Sequence, residues 1–229
     1  MKKVNTILVI FLYAFVLLAP GVIWWNLSKD AFNGTIDVAL FYGLFFPLLG
    51  LYALSFLWIE FTLGAWRTVL NKIFNPTKLL AFHVAEGIFT FLFAFLHPLF
   101  LFLLIKVSGG GYFQTLTSLS YPLKTYWLIG NAALLLLTLA AVAGIMRRNK
   151  FVVKYWKYLH YLNYLVLPFV LVHSWFLGSH VQGSIYESIW YFFTATYIFS
   201  LTQSVTRRVG QPSKSAALSS QTAIVMGDK

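Results

Sequence analysis

Two apolar runs of this chain each carry a pair of histidines: Leu79-Leu-Ala-Phe-His83-Val-Ala-Glu-Gly-Ile-Phe-Thr-Phe-Leu-Phe-Ala-Phe-Leu-His97-Pro98 and Trp156-Lys-Tyr-Leu-His160-Tyr-Leu-Asn-Tyr-Leu-Val-Leu-Pro168-Phe-Val-Leu-Val-His173. The paired histidines are 14 positions apart in the first run and 13 in the second. At about 1.5 Å of rise per helical residue, these separations become about 21 Å and about 20 Å. Each run is therefore expected to be a membrane-spanning helix with one histidine near either face of a hydrocarbon layer about 30 Å thick.

The composition assigns the chain to a bilayer. Of its 229 residues, 59% are hydrophobic and 10% are charged, and the mean hydropathy is +0.76, whereas about a quarter of an ordinary soluble domain is charged. There is no cysteine, which excludes disulfides, iron–sulfur clusters, thiolate-bound metals and covalently attached c-type haem. The net charge of +11 is interpreted as a topology signal, and no nucleic-acid partner is expected.

Hydropathy predicts an all-α fold, a polytopic six-helix transmembrane bundle within residues 1–204. The expected spans are residues 6–25, 38–66, 79–107, 126–146, 152–178 and 185–204. A cleavable signal peptide is the alternative for the first span, but its apolar run ends at Ala19-Pro20 without a small-x-small site, which favours a retained helix. Residues 205–229 are predicted to be a polar, disordered cytoplasmic tail.

Basic residues predict the orientation. With the amino terminus inside, 14 of the 17 Lys and Arg residues fall on the cytoplasmic side, and only Lys29, Lys106 and Lys124 fall outside. This bias predicts a multi-pass protein of the cell (inner) membrane with both termini in the cytoplasm. The two histidine helices are then parallel, with His83 and His160 near the inner face and His97 and His173 near the outer face.

Four histidines at matched depth on two parallel helices are typical of a cofactor site in a helix bundle. A single intramembrane histidine is more often a packed, hydrogen-bonded residue, but that explanation makes the depth match a coincidence. Two axial imidazoles fill both faces of a b-type haem iron, which suits electron transfer. On an ideal helix His83 and His97 lie about 40° apart and His160 and His173 about 140° apart. A helix distortion is therefore expected at residues 164–168, where Pro168 removes a backbone bond.

Other residues are candidates for supporting the site. Gly87, one turn after His83, is expected to leave room for the edge of a flat ring. Small residues of the fourth span are candidates for the same role, although close helix packing explains them equally well: Gly130, Ala132, Ala133, Ala140, Ala141 and Gly144. Glu86 is interpreted either as a partner that orients a ligand histidine or takes up a proton, or as a protonated carboxyl bonded to a neighbouring helix. Glu60 is also a buried ionisable candidate, and His180 is either part of an acceptor site or a solvated loop residue. Basic side chains near the inner face are candidate propionate partners, although most are expected to be solvated: Lys78, Arg147, Lys154 and Lys157.

The strings Leu96-His97-Pro98-Leu99 and Trp156-x-x-Leu159-His160, together with the histidine spacing, resemble the ferric reductase-like transmembrane domain. This family includes ferric-chelate reductases and the haem-bearing half of NADPH oxidases, and the resemblance covers about residues 38–204. It implies two b-type haems, an inner one held by His83 and His160 and an outer one held by His97 and His173. It also implies an oxidoreductase component that moves electrons from the cytosol to an acceptor outside.

The chain departs from this family in its domains. No Gly-rich dinucleotide motif occurs in the 229 residues, whereas the oxidases and ferric reductases continue into a flavin and NADPH domain. FAD or FMN and NAD(P)H are therefore expected only through a partner, a cytosolic flavin reductase or flavoprotein, or else the chain is part of a larger enzyme. It is similar in size to the stand-alone membrane haem subunit of the bacterial methionine sulfoxide reductase system, which lacks a counterpart of His83.

The residues leave the outer-side acceptor open among a ferric chelate, oxygen, quinone or a protein. A second hypothesis is a quinone-linked cytochrome b subunit of a membrane redox complex. A third is a haem-free membrane transporter or assembly factor. The visible spectrum of the purified protein distinguishes the third hypothesis from the other two.

Overall fold

The computed structural model describes residues 2–146, 149–150 and 152–209, and this part of the chain consists of helices joined by turns and loops. The elements are α1 Lys2–Ser28, a short 3-10 helix Lys29–Asn33, α2 Val38–Ala65, α3 Arg67–Ile73, α4 Pro76–Val107, α5 Tyr112–Ser118, α6 Leu123–Ile145, α7 Trp156–His160, α8 Asn163–Leu177 and α9 Ile185–Val209. The predicted all-α class is confirmed. The chain divides into two compact units, Met1–Phe192 and Phe193–Lys229, and both histidine runs belong to the first.

Four helical segments within the described residues are long and apolar enough to cross a membrane: Thr6–Asn33, Val38–Ala65, Pro76–Val107 and Leu123–Ile145. These segments make the chain a membrane protein by length and composition. Two of the six predicted spans are not among them, because the fifth is divided between α7 and α8 and the sixth, α9, is rich in Thr, Ser and Tyr. The predicted tail begins at residue 205, but α9 continues to Val209. The rest of the predicted tail, residues 210–229, lies outside the described residues.

Local signals explain where the two longest apolar helices begin. Asp37 caps α2 by accepting a hydrogen bond from the backbone N–H of Leu40 at 2.7 Å. Asn75 caps α4 by accepting from the backbone N–H of Thr77 at 2.9 Å, and Pro76 occupies the first helical position, where its missing N–H costs no helical bond. The first histidine helix therefore begins three residues before the predicted residue 79.

The site is built from two pairs of packed helices in the first unit. α2 packs along α4, and α6 packs along α8, while α2 also contacts α8 and α4 contacts α6. The centre of α2 supplies much of the core, with Leu54, Trp58 and Ile59 almost completely buried. Buried Ala133 and Ala140 let α6 approach its neighbours closely, as small residues do in membrane helices.

The beginning of α9 is attached to the middle of α2 by one buried tyrosine. The Tyr186 hydroxyl donates a hydrogen bond to the carbonyl of Leu51 at 3.1 Å and lies 2.9 Å from Ser55 Oγ. The side chain is completely buried, so water cannot replace these bonds. This contact fixes the register of the first turns of α9, residues 185–192, against α2.

The second histidine run is interrupted between its two histidines, somewhat before the predicted residues 164–168. The helix stops at His160 and starts again at Asn163, with Tyr161 and Leu162 in a turn. Backbone bonds at the break span three residues instead of four, as from Leu165 N–H to the carbonyl of Leu162 at 2.8 Å. Pro168 lies inside α8 without ending it. The interruption changes the helical phase, which an unbroken helix would leave about 140° out of register.

Replacing Tyr186 by Phe is expected to lower the free energy of unfolding by about 1–2 kcal/mol, because the buried hydroxyl and its bonds are lost while the ring is retained. The measurement is denaturant-induced unfolding in detergent. Tyr191→Phe, on the same helix but 52% exposed, is the matched control and should change stability by less than about 0.5 kcal/mol. Equal effects of the two substitutions would contradict the assigned role of Tyr186.

Candidate functional site

The four histidines of the two runs come together as two pairs. The ring centroids of His83 and His160 are 6.0 Å apart with an interplanar angle of 90°. Those of His97 and His173 are 6.3 Å apart at 84°. All four side chains are half-buried. The structure therefore places one histidine of α4 beside one of α7 and the other beside one of α8.

These separations match two imidazoles that bind opposite faces of one metal ion. An imidazole nitrogen lies about 2.0 Å from a bound metal and about 1.1 Å from its own ring centre, so two ligands on opposite faces have centroids about 6.2 Å apart. Both observed distances lie within 0.2 Å of that value. Two aromatic rings that simply pack together also have centroids about 4.5–7 Å apart. The distance alone therefore does not distinguish shared ligation from packing, and the hydrogen bonds described next are needed as well.

The two histidines of the predicted outer pair are each held by a backbone carbonyl. His97 Nδ1 donates to the carbonyl of Phe46 in α2 at 2.7 Å, and His173 Nδ1 donates to the carbonyl of Tyr126 in α6 at 2.9 Å. A carbonyl only accepts, so the proton is on Nδ1 and Nε2 keeps its lone pair. Metal-binding histidines are commonly oriented in this way. The outer pair is therefore held in the tautomer that can bind a metal through Nε2.

A glycine makes each of these carbonyl bonds possible. Gly50 follows Phe46 by one helical turn, and a Cβ added to it would lie 2.9 Å from both Nδ1 and Cε1 of His97. Gly130 follows Tyr126 by one turn, and a Cβ there would overlap the ring of His173 even more closely. Any other residue at either position would displace the imidazole from its carbonyl. We call Gly50 and Gly130 the glycine notches.

The inner pair has a different partner. His83 Nδ1 contacts Oε2 of Glu60, whose side chain is 11% exposed. Gly87 leaves room for this carboxylate, since a Cβ at Gly87 would lie 2.6 Å from Glu60 Oε1. Gly87 also lines the cavity beside the histidines, where the predicted ring edge would lie. The carboxylate that contacts His83 thus belongs to α2 and is separated from it by 23 positions.

Glu86, the other predicted carboxylate, lies next to this ion pair. It is 3% exposed, and Thr90 Oγ1 donates to its Oε1 at 3.1 Å. Its carboxyl group lies close to that of Glu60. Glu86 is therefore a neighbour of the residue that contacts His83, and its direct contact with a cofactor stays a prediction.

A cavity of about 1340 Å³ opens beside the inner pair. Ordinary small-molecule sites measure about 300–1,000 Å³, so the space accommodates a large ligand. His83 and His160 line it together with small residues of α6, Ala140, Ala141 and Gly144, and with the ring of Trp156. These small residues are the ones that the sequence assigned to a ring edge.

The basic side chain that lines this cavity is Arg67, at the beginning of α3. Among the described residues, the predicted propionate partners Lys78 and Lys154 do not line it. Arg147 and the side chain of Lys157 lie outside the described residues. Arg67 can supply a bidentate contact to a carboxylate, which lysine cannot.

His180 lies in the loop between α8 and α9. Its Nδ1 is 2.8 Å from Ser179 Oγ. Partial burial lowers the pKa of His180 below its usual range, which favours the neutral ring at neutral pH. A neutral imidazole can accept a hydrogen bond or a proton, so its predicted place at an acceptor site stays open.

Comparisons with other proteins do not place the chain in a family. No family model, curated protein or solved structure matches it. Over the described residues, no three His, Cys, Asp or Glu side chains are grouped to hold a bare metal ion. A haem iron needs only two protein ligands, since its macrocycle supplies four, so paired histidines are the relevant arrangement.

The sequence alone did not identify Gly50 or Arg67 as site residues. A signal for Gly50 is present: a glycine precedes each outer histidine, by 47 positions for Gly50 and 43 for Gly130. This repeat becomes recognisable only when α2 and α4 are known to pair in the same way as α6 and α8. For Arg67 the signal was the positive-inside bias, which does not distinguish one basic residue from another.

Replacing either glycine notch by alanine is expected to destabilise the protein by about 1–3 kcal/mol, because the added methyl group overpacks the histidine ring. Gly43 in α2, where a Cβ would be 3.9 Å from Leu104, is the matched control. Alanine at this position should leave stability unchanged or raise it by up to about 1 kcal/mol through helix propensity. Unfolding in detergent measures all three variants, and equal effects at the notches and at Gly43 would contradict the close contacts.

Proposed function

We propose that the chain is the membrane electron-transfer component of a ferric reductase-like oxidoreductase, with two b-type haems. The carrying observation is the geometry of two histidine pairs at 6.0 and 6.3 Å. In the outer pair both Nδ1 atoms donate to backbone carbonyls of neighbouring helices, and in the inner pair His83 Nδ1 contacts Glu60. A chance packing of four rings explains the distances but not the repeated engagement of Nδ1. The histidine-string resemblance to the ferric reductase-like domain supports the same function.

In this proposal His83 and His160 hold the inner haem, and His97 and His173 hold the outer haem. When bound, the two groups supply one-electron carriers at two depths of the membrane. Each pair of histidines would hold one iron and would leave it no free ligand position, which would disfavour binding of oxygen at the iron. The acceptors of the Nδ1 protons fix the ring orientation, and the small residues of α6 give the inner macrocycle its space.

The proposed topology has six spans with both termini in the cytoplasm, in the inner membrane. Four spans follow from the apolar helices. α7 and α8 together form the fifth, because 15 residues in α8 alone are too few to cross about 30 Å. α9, with 25 residues, is long enough to form the sixth. The distribution of basic residues supports the orientation.

Electrons are proposed to enter at the inner pair from a cytosolic flavin reductase or flavoprotein that carries FAD or FMN and uses NAD(P)H. Arg67 lines the cavity beside that pair. This supports the cytoplasmic side of the cavity as the position of the inner haem's propionates. The outer pair then delivers electrons to a ferric chelate, oxygen, quinone or a protein. Reduction of each candidate by the flavoprotein-reduced protein distinguishes these acceptors.

Alanine substitution of any one ligand histidine is expected to reduce the haem content from two per chain to one. His83→Ala and His160→Ala should remove the same haem, and His97→Ala and His173→Ala the other, because one remaining imidazole holds b-type haem weakly. The pyridine haemochrome assay on purified protein measures the content, and His180→Ala is the control that should keep both. Two haems in all four variants, or no Soret band in the wild type, would refute the proposal.

Single cysteines introduced into this cysteine-free chain are expected to reveal the six spans. A membrane-impermeant maleimide should label cysteines at Asn33, Ser120 and Gln182 on intact spheroplasts, because these positions lie on the proposed outer side. Cysteines at Thr77 and Thr206 should react only after permeabilisation. Labelling of positions 182 and 206 from the same side would contradict a membrane-spanning α9.

A further inference from the structure

The two carbonyls that hold the outer histidines differ in their positions along their own helices. The carbonyl of Phe46, which accepts from His97, lies in the interior of α2, with helical turns on both sides. The carbonyl of Tyr126, which accepts from His173, lies in the first turn of α6, a helix that begins at Leu123. The orientation of His173 therefore depends on the end of a helix, whereas that of His97 does not.

Local contacts hold the first turn of α6 only weakly. Residues 120–125 are all exposed, and within the described chain no side chain caps this helix. The backbone bond from the Tyr126 N–H to the carbonyl of Pro122 is long, at 3.3 Å. Helix ends fray when their backbone groups are poorly held. A contact from outside the turn is therefore needed to keep the Tyr126 carbonyl beside His173.

The side chain of Tyr126 makes such a contact with α8. Its ring stacks on the ring of Phe176, with the centroids 3.9 Å apart and the planes 6° apart. Phe176 follows His173 by three positions in α8, so the two side chains lie on neighbouring parts of one helix face. Tyr126 thus joins α8 at two points, through its carbonyl at His173 and through its ring at Phe176.

We propose that Phe176 is a positioning residue for the outer haem, because its stack on Tyr126 holds the carbonyl that orients His173. This inference rests on the proposed function, since it requires the outer haem. Without the stack, the first turn of α6 would separate from α8 for part of the time. The hydrogen bond that fixes the orientation of the His173 ring would then be lost. Phe176 acts through Tyr126 and His173, and not on the iron itself.

The test is a titration of the dithionite-reduced holoprotein with carbon monoxide, which needs an axial position that a histidine has left. Its apparent affinity reports the fraction of protein in which a ligand histidine is detached. Phe176→Leu should raise this affinity about fivefold, the order expected for the loss of one aromatic pair. The added binding should saturate at one haem per chain. Phe176→Tyr keeps a stacking ring and should behave as the wild type.

Tyr126→Leu removes the same stack from the side of α6 and leaves the backbone carbonyl in place. It should raise the affinity for carbon monoxide as much as Phe176→Leu does. The combined substitution should have no larger effect than either one, because both remove a single contact. Additive effects would mean that the two rings act separately and would overturn the proposal.

Phe89→Leu is the matched control. Phe89 is 51% exposed, against 46% for Phe176, and its ring stacks on that of Phe56 in α2 with centroids 6.0 Å apart. Neither Phe89 nor Phe56 supplies a carbonyl that holds an outer histidine. Phe89→Leu should therefore leave the affinity for carbon monoxide unchanged.

An unchanged affinity in Phe176→Leu, or an equal rise in Phe89→Leu, would overturn the proposal. Loss of the outer haem alone from Phe176→Leu and Tyr126→Leu, with both haems kept in Phe89→Leu, would support it, since His173 then no longer holds the iron. Loss of both haems from the two stack variants would overturn it. A wild-type protein without a Soret band would instead refute the proposed function itself.

Discussion

The hydrogen bond from a histidine Nδ1 to an acceptor on the neighbouring helix is the interaction on which the site depends. It joins α4 to α2 through the carbonyl of Phe46 and α8 to α6 through the carbonyl of Tyr126. The contact between His83 and Glu60 joins α4 to α2 at a second depth. In a bilayer interior, an imidazole N–H without a partner would cost several kcal/mol or leave its position undefined. These bonds therefore stabilise the helix pairs and orient the rings at the same time. The spacing within each histidine pair is a consequence of how the two helix pairs are joined.

The same local arrangement of a glycine and a backbone carbonyl occurs in both helix pairs. In α2 and in α6, a glycine lies one turn after the accepting carbonyl and removes the Cβ that would block the histidine from the facing helix. The inner pair extends the principle with Gly87, which leaves room for a carboxylate. Close approach of a helix backbone to a side chain is a general use of glycine in membrane helices. Here it determines which atom of the histidine is left for a ligand.

The sequence predicted the all-helical membrane class and the grouping of four histidines into two pairs. Both follow from hydropathy and residue spacing, which can be read from each helix separately. The partner of His83 was not predictable in this way. Glu86 lies nearer in sequence, yet Glu60 makes the contact because α2 packs antiparallel to α4 with that face toward it. Gly50 was missed for the same reason, since its role depends on the rotation of α2 about its axis. An interruption between His160 and His173 was expected from the angle between these histidines on an ideal helix. It lies before Pro168, at Tyr161 and Leu162, where backbone hydrogen bonds join residues three positions apart instead of four.

The second histidine run is divided into α7 and α8, so the orientations of His160 and His173 do not depend on each other as they would on a continuous helix. Rotating a rigid rod to improve the aim of His173 would swing His160 away from His83 by the same angle. With a turn at Tyr161 and Leu162, each half can be tuned by substitutions of its own without disturbing the other. The break thus lets the inner and the outer histidine pair be adjusted independently of each other.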